Sequence, residues 1–94
     1  MSYRSQLRIV ADILRVARDH CDDDGTVKVS VLLRKANLSY SRLSNLLENL
    51  KEKGLLEAEE GERGPIYRLT RKGFDFLEEY KRFEKFAKAY GLKL

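Results

Sequence analysis

A mainly α fold with one small β-hairpin is predicted by three features of this 94-residue chain. Two helical patterns, VSVLLRKA and SRLSNLLENLKEKG, stand close together, joined through the turn NLSY. Next comes LLEAEEGERGPIYRLT, two strand-like runs around a tip rich in Gly and Pro. A long aromatic helical pattern follows from Arg71. Helix, turn, helix and hairpin in that order make a winged helix-turn-helix, predicted over residues 1–70. Residues 71–94 are predicted to form a C-terminal helix that pairs as a dimeric coiled coil, the whole making one structural unit.

The first helix is expected from Tyr3 to His20. Leu7, Val10, Ile13, Leu14 and Ala17 recur on one face, and Ile9 and Val16 widen it. Arg4, Arg8, Arg15 and Arg18 form a basic stripe opposite, either a solvated face or a phosphate contact. Asp22-Asp23-Asp24-Gly25 turns the chain, Gly25 being free to take φ > 0. This run lacks the alternating ligands and closing glutamate of a calcium loop. His20 and Cys21 have no second His/Cys pair with which to hold zinc.

Thr26–Lys28 is expected as a short extended piece pairing with the hairpin. The second helix spans Val29–Ala36 and buries Val31 or Leu32, Leu33 and Ala36. Asn37 suits a left-handed helix end, and Leu38 inserts into the core. Ser39 caps the third helix, contributing ~1 kcal/mol. That helix runs from about Tyr40 to Lys53, buries Leu43, Leu46, Leu47 and Leu50, and stops at Gly54. Outside the leucine stripe its first turns carry Tyr40, Ser41, Arg42, Ser44, Asn45 and Glu48. A recognition helix reads base edges from its N-terminal turns. Arg42 suits guanine and Asn45 adenine, while Ser41 and Ser44 suit bases or phosphate. Tyr40 can pack its ring on the sugar–phosphate backbone, and Ser39 is counted with them as a DNA-binding candidate.

In the hairpin, Leu55, Leu56 and Ala58 precede the tip, and Ile66, Tyr67 and Leu69 follow it. Alternation leaves one strand face to pack on the helices. Glu59, Glu60 and Glu62 outnumber Arg63 at the tip, so the wing is expected to add little affinity for phosphate. Arg63 and Arg68 are the basic candidates there, with Lys28 ahead of the second helix.

Thr70 can cap the last helix, which reaches about Tyr90. Gly73, Phe76, Tyr80, Phe83, Ala87, Tyr90 and Leu94 recur at steps of three and four, a heptad series. Phe74, Leu77 and Phe86 lie beside it. Dimerisation through Phe76, Tyr80, Phe83, Ala87 and Tyr90 is therefore expected, with an antiparallel pairing preferred.

Composition bounds the function. At 43% hydrophobic and 36% charged, the chain is too rich in core-forming residues for disorder. No apolar run approaches ~18 residues, so no membrane partner is expected. MSYRSQLRIV lacks the apolar stretch and cleavage site of a signal peptide. A single cysteine forms no internal disulfide and fits a reducing cytoplasm. The net charge of +4 is unevenly placed. Residues 28–54 carry six basic against two acidic side chains and residues 65–94 eight against four, whereas residues 55–64 sum to −3. Basic segments mark where a polyanion would sit.

The run ANLSYSRLSNLLENLKEKGLLE, followed by YRLTRKGFDFLEEY, resembles the small archaeal winged-helix DNA-binding proteins. That group holds both chromatin-associated proteins and transcriptional regulators. The likeness rests on Ala36–Ser39, on Lys53–Leu55, on Tyr67–Thr70 and on Arg71-Lys72-Gly73, and covers roughly residues 7–90. It implies binding of double-stranded DNA by the third helix, a homodimer through the C-terminal helix and a cytoplasmic, nucleoid-associated location. The acidic wing departs from a hairpin bound strongly to DNA.

Enzyme chemistry finds no constellation here: one His, one Cys, no paired inward carboxylates and no Walker-type glycine loop. No cofactor is implied. Two readings stay open. One is a dimeric DNA-binding regulator or nucleoid protein with residues 40–53 in the major groove. The other is a protein-interaction or RNA-associated scaffold, which the acidic wing favours.

Overall fold

The structure, a computed structural model, describes residues 4–92. In chain order it holds α1 (Gln6–Asp19), β1 (Thr26–Lys28), α2 (Val29–Ala36), α3 (Tyr40–Glu52), β2 (Leu56–Gly61), β3 (Gly64–Leu69) and α4 (Arg71–Ala89). The winged helix-turn-helix order predicted from the sequence is present.

α1 starts at Gln6, later than its apolar periodicity suggested, because Ser5 is an N-cap. Its extended backbone (φ −66°, ψ 161°) lets its hydroxyl accept from the Arg8 N–H at 3.1 Å. Tyr3 lies outside the described residues. Ile9, Ala11, Ile13, Leu14, Val16 and Ala17 are buried, while Leu7, expected inside, is 44% exposed. α1 packs against both α2 and α4, so its buried arc is broad and centred past the first turn.

The basic stripe of α1 is not an open phosphate surface. Three of its arginines converge on Asp12: Arg4 at 3.0 Å, Arg15 at 3.1 Å and Arg8 at 3.5 Å. Arg15 also approaches Glu84 of α4 at 3.6 Å, and Arg18 pairs with Asp19 at 2.8 Å. Arg4 does more than pair. Its guanidinium donates to the carbonyls of Ala36 and Asn37 at 3.0 and 3.1 Å, satisfying the end of α2 and fastening the helix-turn-helix corner to α1.

Leu32 and Ala36 are the fully buried residues of α2, with Val31 and Leu33 half-buried. Asn37 ends the helix in the left-handed region (φ 57°, ψ 55°), and Leu38 packs onto the core. In α3 the stripe Leu43, Leu46, Leu47 and Leu50 faces inward as expected. Its last carbonyls are closed by a Schellman turn at Gly54 (φ +77°), with Leu55 N–H donating to Leu50 O and Gly54 N–H to Lys51 O.

The sheet is antiparallel in the order β1-β3-β2, with β1 added to the hairpin as anticipated. Thr26 faces Arg68 and Lys28 faces Ile66. On the other side, Leu56 pairs with Leu69 and Glu57 with Arg68. Alternation turns Val27, Leu56, Tyr67 and Leu69 toward the helices and Lys28, Glu57, Glu59 and Arg68 outward.

The C-terminal helix corrects the expected seam. Gly73 is buried against the body of the protein: a Cβ there would lie 2.4 Å from the Leu55 carbonyl oxygen and 2.5 Å from Leu69 Cδ1. Leu77 and Tyr80 join the core, Phe76 packs beside it and Ala87 is buried. Phe83 (49% exposed), Phe86 (60%) and Tyr90 (70%) stay in solvent. The three-four series of the last helix is thus divided, because α4 lies back on α1 and uses Gly73 and Tyr80 within its own chain. Leu94 lies outside the described residues.

Candidate nucleic-acid interface

α3 is set by its two faces. The leucine stripe anchors one side, and the Ser39 hydroxyl accepts from the Arg42 N–H at 3.3 Å to fix where the first turn begins. Everything else is presented outward. Tyr40 is 65% exposed, and Ser41, Arg42, Ser44, Asn45, Glu48 and Asn49 are all exposed. Among the described residues, the side chains of Ser41, Arg42, Ser44 and Asn45 enter no hydrogen bond or ion pair. They form one rigid polar face with donors and acceptors available to a ligand. Glu48 differs, being paired with Lys51 at 3.0 Å.

Tyr67 of β3, expected only as a strand residue, packs against the core. It is half-buried on the helix-facing side of β3. Burial raises its hydroxyl above the usual tyrosine range; Glu48 acts in the same sense and Lys51 against it. Tyr40 adds to the rise. The alternation of Ile66 and Tyr67 was visible in the sequence, but which of the two turns toward the core depends on strand pairing.

The basic candidates divide. Arg63 is exposed at the two-residue tip, Glu62-Arg63, closed by Gly64 at φ +113°. Arg68, a candidate for the phosphate backbone, is instead held within the wing. Its Nη1 lies 2.8 Å from Glu59 Oε1 and 3.9 Å from Glu57, and its Nε and Nη2 donate to the Asp24 carbonyl at 3.4 Å. The strand register places it between these acids. Lys28 is exposed on the outer sheet face beside Ile66, opposite the face that packs on the helices. Arg34 and Lys35, counted in the sequence only as charge, are exposed in the last turn of α2 without an ion pair among the described residues.

Among the described residues no group of three or more His, Cys, Asp or Glu side chains could hold a metal ion. No described helix is long and apolar enough to cross a membrane.

Comparison with known proteins bears on the fold. No curated protein sequence matches the chain. Among solved structures, Sso10a-2 from Sulfolobus solfataricus, described as a DNA-binding protein, superposes with a TM-score of 0.78 at 22% identity. The match covers 93% of this chain and 85% of that one. BpsR from Bordetella bronchiseptica, whose DNA binding is regulated by 6-hydroxynicotinic acid, superposes with a TM-score of 0.70 at 20% identity. There the match takes in 95% of this chain but 61% of the BpsR chain. Likeness at these identities is likeness of fold. The family model for winged helix-turn-helix proteins matches residues 3–88, from before α1 to the last turn of α4, and with that span the chain belongs to the winged helix-turn-helix family.

Proposed function

We propose that the protein is a dimeric DNA-binding protein, a transcriptional regulator or nucleoid protein, that lays α3 in the major groove of double-stranded DNA. The observation that carries this is the outward face of α3. Directly after a Ser39 cap it offers Ser41, Arg42, Ser44 and Asn45, exposed and without partners among the described residues. Such short polar side chains let a helix approach base edges closely, and an arginine among them supplies a bidentate donor for guanine. Sso10a-2 and BpsR, both described as binding DNA, support the same reading. A protein of this kind would act on the nucleoid, in the cytoplasm.

The dimer in this proposal is held by the exposed stripe of α4, Phe83, Phe86 and Tyr90, with the Phe86 and Tyr90 rings 5.0 Å apart. Aromatic surface of this extent beside a buried strip is the kind that a second copy covers. The acidic wing favours the second reading, a protein- or RNA-binding scaffold.

The test is titration of duplex DNA at two salt concentrations with wild-type protein and Arg42→Ala. Arg42→Ala should weaken binding by ~1–3 kcal/mol at a specific site. If Arg42 meets only phosphate, all sequences should weaken together and the salt slope should fall by about one. No duplex binding by the wild type at low salt would discard the proposal in favour of the scaffold.

A further inference from the structure

We propose a second polyanion-binding surface on this protein, a lysine ridge along α4 that contacts the phosphate backbone of a duplex other than the one held by α3. The inference rests on the DNA reading above and extends it to a different face of the molecule.

Charge pairing along α4 singles out the ridge. Asp75 is met by Arg71 at 3.3 Å, Glu79 by Arg82 at 3.1 Å and Glu84 by Arg15 at 3.6 Å. Glu78 acts on Arg18 of α1. Three of the four acidic side chains of α4 are therefore paired with an arginine, while Glu78 acts on Arg18 only at longer range. Lys81, Lys85 and Lys88 remain exposed, with no ion pair among the described residues. Spacings of four and three put these lysines on one side of the helix, over about 10 Å of its length. Three aligned ammonium groups without an ion pair among the described residues, against one acidic side chain of the same flank, Glu78, that is not ion-paired either, leave a net positive track for a polyanion.

The position of the ridge makes it independent. At about 100° per residue the buried strip of α4, Gly73, Leu77, Tyr80 and Ala87, separates two flanks. Phe83, Phe86 and Tyr90 fall on one flank and Lys81, Lys85 and Lys88 on the other. A partner covering the aromatics would leave the lysines free. Beside Lys81, a groove of about 360 Å³ runs toward α1, lined by Arg15, Arg18, Leu77 and Glu84. The Glu84 carboxylate there is offset by Arg15, so the groove does not reverse the sign of the ridge. α4 packs chiefly on α1 and β3, so this flank belongs to a different surface from the polar face of α3.

The consequence is that one protomer could hold two duplex segments. The test uses the full chain and the variant Lys81→Gln/Lys85→Gln/Lys88→Gln, which keeps the side-chain stems and a similar helix propensity. A biotinylated duplex is saturated with protein, and capture of a second, fluorescent duplex is measured. Wild type should capture it; the triple variant should lose capture several-fold while still binding the first duplex. In an Arg42→Ala background the three glutamines should reduce the slope of log affinity against log salt by about two to three. Unchanged capture and unchanged slope would overturn the ridge while leaving α3 as the reading helix. Loss of poly-glutamate binding with DNA slopes unchanged would assign the ridge to an acidic protein partner and overturn it too. A wild type that binds no duplex at all overturns the DNA reading, a result separable from both.

Discussion

The guanidinium of Arg68 lies 2.8 Å from a carboxylate oxygen of Glu59, across the outer face of the wing. Both side chains are substantially exposed, so the pair contributes ~1 kcal/mol or less to stability. Its greater effect is on the distribution of charge. Arg68 is turned to its own strand neighbours, and Glu59 is partly neutralised. Glu60 and Glu62 remain as carboxylates without an ion pair among the described residues.

Glu60→Gln/Glu62→Gln should therefore raise duplex affinity several-fold at low ionic strength, the gain shrinking as salt screens the wing. Glu59→Gln alone should raise it less, since it removes one negative charge while Glu57 and the Asp24 carbonyl still hold Arg68. Fluorescence anisotropy at low and physiological salt measures both. Equal affinities for wild type and variants would place the wing away from the duplex.

Phe83→Glu should give a folded monomer. Phe83 is half-exposed, so a carboxylate there can stay hydrated within the isolated protomer but would be buried unpaired in a dimer held by α4. Sedimentation should shift from dimer to monomer with circular dichroism unchanged. A wild-type protein that is monomeric at micromolar concentration would remove the α4 dimer.

Gly73→Ala should destabilise the protein although alanine favours helix by ~1 kcal/mol. The added methyl would stand 2.4 Å from the Leu55 carbonyl oxygen and 2.5 Å from Leu69 Cδ1, so α4 must move off the base of the wing. A loss of ~1–3 kcal/mol is expected in urea denaturation. A neutral or stabilising result would show that the start of α4 shifts freely.

Asp24 supplies a pH dependence. Its carboxylate accepts from the Thr26 hydroxyl at 2.6 Å and the Thr26 N–H at 3.0 Å. These bonds, the hydroxyl first, hold it below the ordinary carboxylate range. With the folded pKa below the unfolded value of about 3.9, its contribution is present above that pH and lost as pH falls through the folded value. Asp24→Asn should therefore be less stable than wild type at neutral pH, and the gap should narrow under acid. A gap of constant size between neutral pH and pH ~3 would contradict this, since that range crosses the ordinary carboxylate value.

What could be read from the chain alone was local. Ser39, Asn37 and Gly54 mark helix ends by their own backbone chemistry, and Leu43, Leu46, Leu47 and Leu50 follow the helical period. The partners of Arg68 were hidden, because Glu57, Glu59 and Asp24 reach it only through strand register. On α4 the same spacing serves two purposes. Tyr80 and Phe83 both fit a heptad, yet one is 4% exposed and the other 49%, a difference made by the position of α1. The pairs Arg8–Asp12 and Asp12–Arg15 were legible as i,i+4 and i,i+3 neighbours; counting arginines without the aspartate between them made the stripe look open. For the face of α3, the sequence indicated which side chains point outward but not which of them would stay without a partner.

Thr70 has a further consequence. Its hydroxyl donates to the Gly54 carbonyl at 2.6 Å while accepting from the Gly73 N–H at 3.0 Å, and its own N–H reaches the Leu55 carbonyl at 3.3 Å. The residues on either side of the hairpin are stapled together at its root, so the end of α3 and the start of α4 hold their relation without help from the strands' far end. The tip is thereby free to vary in length and charge. Residues inserted between Glu62 and Arg63 would extend the hairpin outward and leave the angle between the two helices as it is.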